Sequence, residues 1–152
     1  MNSHLTQRLF STRPGWAPLA VRIPIGIIFV AHGAQKLFGW FGGYGLHGTA
    51  QWMDSIGLSP GTALALLAGG AEFLGGLALL LGLLVRPASV ALAFTMLVAI
   101  FSVHFSKGLF LSNGGYEYGL ALLATTVALF ISGGGRFSVD GALAREAIGA
   151  RS

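Results

Sequence analysis

The chain is dominated by four long apolar stretches, separated by short segments rich in glycine, proline and polar residues. The stretches cover about residues 17–39, 61–84, 88–106 and 116–132. Each is close to the ~20 residues with which an α-helix crosses a hydrocarbon core ~30 Å thick. The pattern predicts an all-α, integral membrane four-helix bundle without β-sheet, because a membrane span must satisfy its backbone polar groups within the segment.

Composition supports lipid as the solvent for most of this surface. Apolar residues make up 54% of the 152 residues, and charged residues only 9%, against about 25% in soluble proteins. We therefore expect residues 1–152 to form a single transmembrane domain. The basic residues are too few and too scattered for a nucleic-acid-binding surface.

Cysteine is absent from the chain. This excludes thiolate nucleophiles, iron–sulfur clusters and zinc–thiolate sites, and no metal site is predicted. Any redox role would therefore need a protein partner to supply or collect the electrons.

The basic residues predict the orientation in the membrane. Lys36 and Lys107 fall toward one side, and seven arginines lie on or at the edge of the other: Arg8, Arg13, Arg22, Arg86, Arg136, Arg145 and Arg151. Because basic residues are retained on the cytoplasmic side, both termini are predicted to be cytoplasmic. Arg22 is interpreted as an anchor at the inner boundary, and Thr49 as the cap of a short interfacial helix in the loop after the first span.

An internal similarity relates spans 1 and 3. Residues 28–44 and 100–116 are identical at eight of 17 positions, among them His32/His104 and the Gly-Gly-Tyr of 42–44 and 114–116. A weaker match, Gly-Leu-Ala-Leu-Leu, occurs at 76–80 and 119–123. The similarity favours a duplicated two-helix hairpin, with His32 and His104 at the same depth and facing inward.

Six polar residues are candidates for a site between the helices, because ionisable groups inside a membrane are costly and commonly functional. Glu72 lies near the middle of span 2, framed by glycines that allow close helix contact, and is expected to pair with His32 or Lys36. The others are Gln35 on the same face of span 1, His104 in span 3, and Glu117 at the outer entrance of span 4. The alternatives are structural: a helix-joining pair for Glu72, lysines that reach the headgroups, and a helix N-terminal position for Glu117.

The first span carries a recognisable motif, Arg22-x3-Gly26-x2-Phe29-x2-His32-Gly33-x-Gln35-Lys36-Leu37-Phe38-Gly39. Together with Glu72-x2-Gly75-Gly76, Arg86 and Gly135-Arg136-Phe137-Ser138-Val139-Asp140, it resembles the DoxX family over nearly the whole chain. The resemblance implies a four-helix protein of the bacterial inner membrane. Relatives include the membrane subunit of a thiosulfate:quinone oxidoreductase, and others are linked to oxidative-stress and thiol systems. It supplies no agreed catalytic residues.

The leading hypothesis is a membrane redox subunit that binds a quinone, or a similar lipophilic redox molecule, between the helices. Glu72 and His32 would act on protons, and His32, Gln35, Lys36, His104 and Glu117 would contact the ligand. A b-type haem held by His32 and His104 is one alternative. A small-solute transporter and a membrane anchor for a partner are others. Membrane lipid, a lipophilic small molecule and a protein redox partner are the expected partners, and a homo-oligomer is left open.

Overall fold

The computed structural model describes residues 15–149, and within them it contains helices and turns but no strand. The α-helices are α1 (Ala17–Phe38), α2 (Gly45–Ser55), α3 (Gly61–Leu81), α4 (Val85–Ala99), α5 (Glu117–Ser132) and α6 (Val139–Gly149). A π-helical turn (Ile100–His104) and a 3-10 turn (Phe105–Lys107) prolong α4. Three segments are long and apolar enough to cross a membrane, namely α1, α3 and Val85–Lys107, and α5 is a shorter apolar helix. The prediction of an all-α protein is confirmed for this part of the chain.

Glycine and proline set the helix limits, with small differences from the predicted ones. Gly39 (φ 73°) and Gly82 (φ 67°) take left-handed conformations that end α1 and α3, as C-terminal glycines commonly do. The second span therefore ends at Leu81, before the predicted residue 84. The third begins at Val85 and includes Pro87, because proline is tolerated in the first turn of a helix.

The four apolar helices pack in a ring, α1 on α3, α3 on α4, α4 on α5 and α5 on α1. Helix α2 lies across one end of the ring, where Ala50 and Met53 pack against Ala65 of α3. We call this the α2 end, and the opposite end, at Arg22, the Arg22 end. Large apolar side chains point away from the bundle, among them Leu66, Leu74, Leu81, Phe101, Phe130 and Ile131. Such a surface fits a hydrocarbon solvent.

Glycines allow α1 and α3 to pack backbone against backbone in antiparallel directions. A Cβ added at Gly26 would lie 2.9 Å from the carbonyl oxygen of Gly76, and one at Gly33 would overlap the backbone nitrogen of Phe73. Small residues at helix contacts are the usual means of close packing in membranes.

We expect Gly33→Ala to destabilise the protein by about 1–3 kcal/mol, the usual cost of overpacking. Gly70→Ala is the matched control, because a Cβ there meets nothing within 4 Å. Thermal unfolding in detergent should show a lower midpoint for Gly33→Ala and an unchanged or higher midpoint for Gly70→Ala. Equal midpoints would contradict the close packing of α1 on α3.

Arg22 is not a headgroup anchor, contrary to the sequence interpretation. Its guanidinium is 1% exposed and donates hydrogen bonds to the carbonyls of Leu79, Leu80, Gly134 and Phe137, at 2.6–3.1 Å. It thereby ties the end of α3 to the segment that follows α5. The carbonyls at a helix C-terminus lack intrahelical partners, and the guanidinium fork supplies several donors at once.

Asp140 holds the adjoining connection at the Arg22 end. Its carboxylate accepts the backbone N–H groups of Leu84 (2.7 Å) and Val85 (2.9 Å), where α4 begins. Burial raises the pKa of Asp140 above its usual range. The two hydrogen bonds and the charges of Arg22 and Arg86 lower this pKa, but by less than burial raises it.

One prediction from the loops is wrong, and the weaker internal match differs in its position within the helices. Thr49 does not cap the short helix, because α2 begins at Gly45 and the Thr49 hydroxyl donates to the carbonyl of Lys36 at 3.3 Å. The repeated Gly-Leu-Ala-Leu-Leu is not equivalent in the two copies, since 76–80 lies near the end of α3 and 119–123 in the first turns of α5. The stronger part of the internal similarity does share geometry, with left-handed Gly42 (φ 76°) and Gly114 (φ 73°).

Candidate functional site

An ion pair joins α1 to α3 within the bundle. Lys36 Nζ lies 2.6 Å from Glu72 Oε2, with the Glu72 side chain 6% exposed and the Lys36 side chain 25% exposed. Gly69 allows this contact, because α3 presents no side chain there against Lys36 Cβ and Leu37. The prediction that Glu72 faces inward and pairs with a base of the first span is confirmed, with Lys36 as the base.

The ion pair lies on the wall of a cavity of about 580 Å³. Helices α1, α2, α3, α4 and α5 all contribute to the wall, which is mainly apolar. Four predicted site residues line it: His32, Lys36, Glu72 and His104. A largely apolar cavity with a few convergent polar groups is the usual form of a small-molecule site.

The two histidines share this cavity but differ in their surroundings. His32 is half-buried on α1, and its ring centroid lies 6.3 Å from that of Tyr118 on α5. His104 ends the π-helical turn, and its Nδ1 lies 2.7 Å from the Gly114 carbonyl oxygen. Because a carbonyl only accepts, Nδ1 carries the proton, and Nε2 of the neutral ring is left as an acceptor. The inward-facing placement of both rings is confirmed. In its neutral form His104 has no N–H left to donate to a ligand carbonyl.

Gln35 and Glu117 are not brought to the cavity. The Gln35 amide donates to the Phe41 carbonyl in the following turn, at 3.2 Å. Glu117 is the first residue of α5, and its carboxylate accepts the backbone N–H of Leu111 at 2.5 Å. Both therefore stabilise loops at the α2 end. Glu117 occupies the helix N-terminal position of the structural alternative, and its contact with the Leu111 N–H was not predicted.

Four polar residues of the cavity wall were missed from sequence: Trp52, Thr95, Ser102 and Tyr118. Thr95 donates its hydroxyl to the Leu92 carbonyl at 2.8 Å, so its proton is already used. Tyr118 could have been predicted from the sequence, because it lies four residues before Leu122 and therefore on the same face of α5. Trp52 gave none, since its place depends on how α2 folds over the bundle.

Groups of three or more His, Asp or Glu side chains able to hold a metal ion are absent from the described residues. A pair of histidines does not need such a group to hold a haem iron. The haem alternative therefore remains a prediction to be tested by spectroscopy.

Comparison with known proteins identifies the family. Residues 17–105 match the model of the DoxX family. A protein of Bacillus subtilis (strain 168) named "Putative oxidoreductase CatD" is 34% identical over 122 residues, which cover 80% of this chain and 83% of the relative. The "Inner membrane protein YqjF" of Escherichia coli (strain K12) is 36% identical over 128 residues, covering 80% of this chain and 88% of the relative. No solved structure matches the fold at a significant level. The match covers more than half of the sequence, and the chain therefore belongs to the DoxX family of membrane proteins.

Proposed function

We propose that this protein is a membrane redox subunit that binds a quinone in the cavity beside Lys36 and Glu72. The observation that carries the proposal is a buried ion pair on the wall of a mainly apolar cavity. The apolar wall suits an apolar ring, and the ion pair suits polar oxygens attached to that ring. The combination therefore favours a ligand that has both. The relative named as an oxidoreductase supports the same class of activity.

The polar groups of the wall suit both redox states of such a ligand. The Lys36 ammonium donates to a quinone carbonyl, and the charge that develops on that oxygen during reduction is stabilised electrostatically in a water-poor site. His104 Nε2 accepts a hydrogen bond from a quinol hydroxyl. Glu72 and His32 exchange protons with the ligand oxygens, as general acid–base groups do.

The reaction must balance two electrons and two protons for each quinone reduced to quinol. The chain has no cysteine, so we assign the electrons to a protein partner that carries a two-electron centre such as a flavin. The protons pass through Glu72 and His32, and quinol oxidation runs through the same groups in reverse.

Quinone binding can be tested with Trp52 as an internal reporter, because Trp52 lines the cavity. The chain has three tryptophans, so Trp16→Phe/Trp40→Phe leaves Trp52 alone. Decylubiquinone in liposomes should quench this fluorescence saturably. A variant that retains only Trp40, which does not line the cavity, should show only the linear quenching of quinone dissolved in lipid.

The same preparation distinguishes the quinone site from the haem alternative. A Soret band in the purified protein would favour haem held by His32 and His104, and linear quenching of Trp52 would contradict the quinone site. Transport of a small solute by the reconstituted protein, without saturable quenching by quinone, would favour the transporter hypothesis.

We also propose that α1, α3, the segment Val85–Lys107 and α5 each cross the bacterial inner membrane, with both termini cytoplasmic. Helix α5 has 16 residues and is about 24 Å long at 1.5 Å per residue, so it spans most of the hydrocarbon core. Arg22, Arg86 and Arg136 contact groups at the Arg22 end, which supports a cytoplasmic position for that end.

A reporter fused after Ser152 tests this orientation. We expect a reporter enzyme that works only in the cytoplasm to be active at this position. The reason is that the fourth crossing returns the chain to the cytoplasmic side on which it starts. Activity of a periplasmic reporter at the same position would contradict the cytoplasmic position of the C-terminus.

A further inference from the structure

The cavity is covered at the α2 end of the bundle. Trp52, Met53 and Leu58 of α2 and the turn after it contribute to the wall there, together with Leu111 and Gly115 of the loop before α5. Met53 is also packed against α3 through the cluster with Ala65. Met53 and Gly115 are buried there, whereas Trp52 and Leu111 are 43% and 55% exposed at the rim. A ligand arriving from the aqueous side of this end would have to pass between these side chains.

The wall is unevenly exposed, which shows where the cavity is open. On the side of α1 and α5, Phe29 is 1% exposed and Leu122 4% exposed. On the side of α3 and α4, Leu67 is 68% exposed and Phe94 65% exposed, although both line the same cavity. Leu67 and Phe94 are the two most exposed large apolar side chains of the wall, above Leu111 at 55%, so the widest opening lies between α3 and α4.

Helices α3 and α4 are in contact on the Arg22 side of this opening. They touch at Gly75, where an added Cβ would lie 3.0 Å from Leu92 Cγ. From that contact toward the α2 end, Ala71 and Leu67 of α3 face the cavity, as do Phe94 and Val98 of α4. The π-helical turn at Ile100–His104 follows, and π-turns are a known cause of helix bends.

We infer that the ligand enters sideways from the bilayer, through the gap between α3 and α4, and keeps an apolar tail in the gap against Leu67 and Phe94. This inference rests on the proposed function and adds the tail of the quinone and its route of entry. The ligand is a quinone with an alkyl or isoprenoid tail, held with its ring at Lys36 and Glu72. Leu67 precedes Glu72 by five residues, which is about 7.5 Å along the helix, so a ring at Glu72 places the start of its tail in the gap.

The experiment blocks the gap with a label and measures binding through Trp52. The chain contains no cysteine, so Leu67→Cys in the variant that retains only Trp52 gives one labelling site. Leu66→Cys is the matched control, because Leu66 is also exposed on α3 but does not line the cavity. Both are reconstituted in phosphatidylcholine liposomes, labelled with N-cyclohexylmaleimide, and titrated with decylubiquinone or with the same benzoquinone ring lacking a tail.

The label at position 67 should raise the decylubiquinone concentration for half-maximal quenching at least about tenfold, and the label at position 66 by less than about twofold. The tail-less quinone should be affected less than decylubiquinone at position 67. Equal titrations for the two labelled proteins would overturn the lateral gap and leave the quinone site standing. Absence of saturable quenching in the unlabelled protein would instead overturn the proposed function, and this inference with it.

Discussion

Replacing Arg22 by alanine is expected to lower the thermal unfolding midpoint by about 6–20 °C. The guanidinium is buried and donates to four carbonyls that belong to two separate parts of the chain. Removing it takes a donor from each of these carbonyls, of which Leu79 keeps the N–H of Gly82, and leaves Asp140 with Arg86 as its remaining positive neighbour. Breaking a buried charged network typically costs 3–5 kcal/mol, and each kcal/mol corresponds to roughly 2–4 °C in a protein of this length.

Arg136→Ala is the matched control for this experiment. Arg136 lies at the same end, but its guanidinium is exposed and stacks over Trp16 at 5.3 Å. An exposed cation–π contact contributes about 0.5–1 kcal/mol, so the midpoint should fall by only a few degrees. Arg22→Lys should lie between the two, because an ammonium keeps the charge but lacks the planar fork.

Unfolding in detergent, followed by circular dichroism, measures all three variants, and membrane abundance provides an independent check. Similar midpoints for Arg22→Ala and Arg136→Ala would show that Arg22 is a boundary anchor after all. Loss of Arg22→Ala from the membrane, with Arg136→Ala retained, would agree with the expected destabilisation.

Replacing Glu72 by glutamine should leave the protein folded in the membrane but reduce quinone-linked activity about 10²–10⁴-fold, the usual contribution of a general acid–base group. Glutamine can still accept a hydrogen bond from Lys36 Nζ, so the link between α1 and α3 is retained. It cannot take up or release a proton at the ligand. The assay is quinone reduction in membranes that contain the protein's electron-donating partner, normalised to the amount of folded protein.

Glu117→Gln is the matched control, since it makes the same chemical change at a carboxylate outside the cavity. It should keep close to full activity, because an amide oxygen can still accept the Leu111 N–H. Wild-type activity and abundance for Glu72→Gln would show that Glu72 only joins two helices and that the proton role is wrong.

A further pair of variants separates stability from chemistry at the same site. Glu72→Ala leaves the Lys36 ammonium without its carboxylate and should cost about 3–5 kcal/mol. Lys36→Met/Glu72→Met replaces both charges by apolar groups, which is often neutral or stabilising. We expect the double variant to be more stable than Glu72→Ala and yet inactive, a combination that a purely structural ion pair would not produce.

The family, the helical class and part of the site were predictable from the sequence, because each depends on local or compositional signals. Long apolar stretches indicate membrane-spanning helices whatever the tertiary arrangement of those helices. The glycine-framed carboxyl of Glu72 had to be paired inside the bundle, because an isolated charge at that position is costly. The spacing of His32 and Lys36 by four residues placed both on one helix face.

Side chains near helix ends were harder to interpret. Arg22, Gln35 and Glu117 each had a polar group close to a span boundary, and their sequence neighbourhoods were compatible with either a ligand or a structural contact. Their partners are the carbonyls of Leu79 and Phe41 and the N–H of Leu111, backbone groups that have no sequence signature.

The apolar pattern, the absence of cysteine and the order of polar residues within each span thus determined by themselves that this is a helical membrane protein with an inward-facing carboxyl. Only the tertiary structure decided that Lys36 rather than His32 meets Glu72, and that the two line one mainly apolar cavity. The reason is physical. Periodicity fixes which face of a helix a residue occupies, whereas the choice of partner and the shape of a cavity depend on how closely whole helices approach and where they diverge.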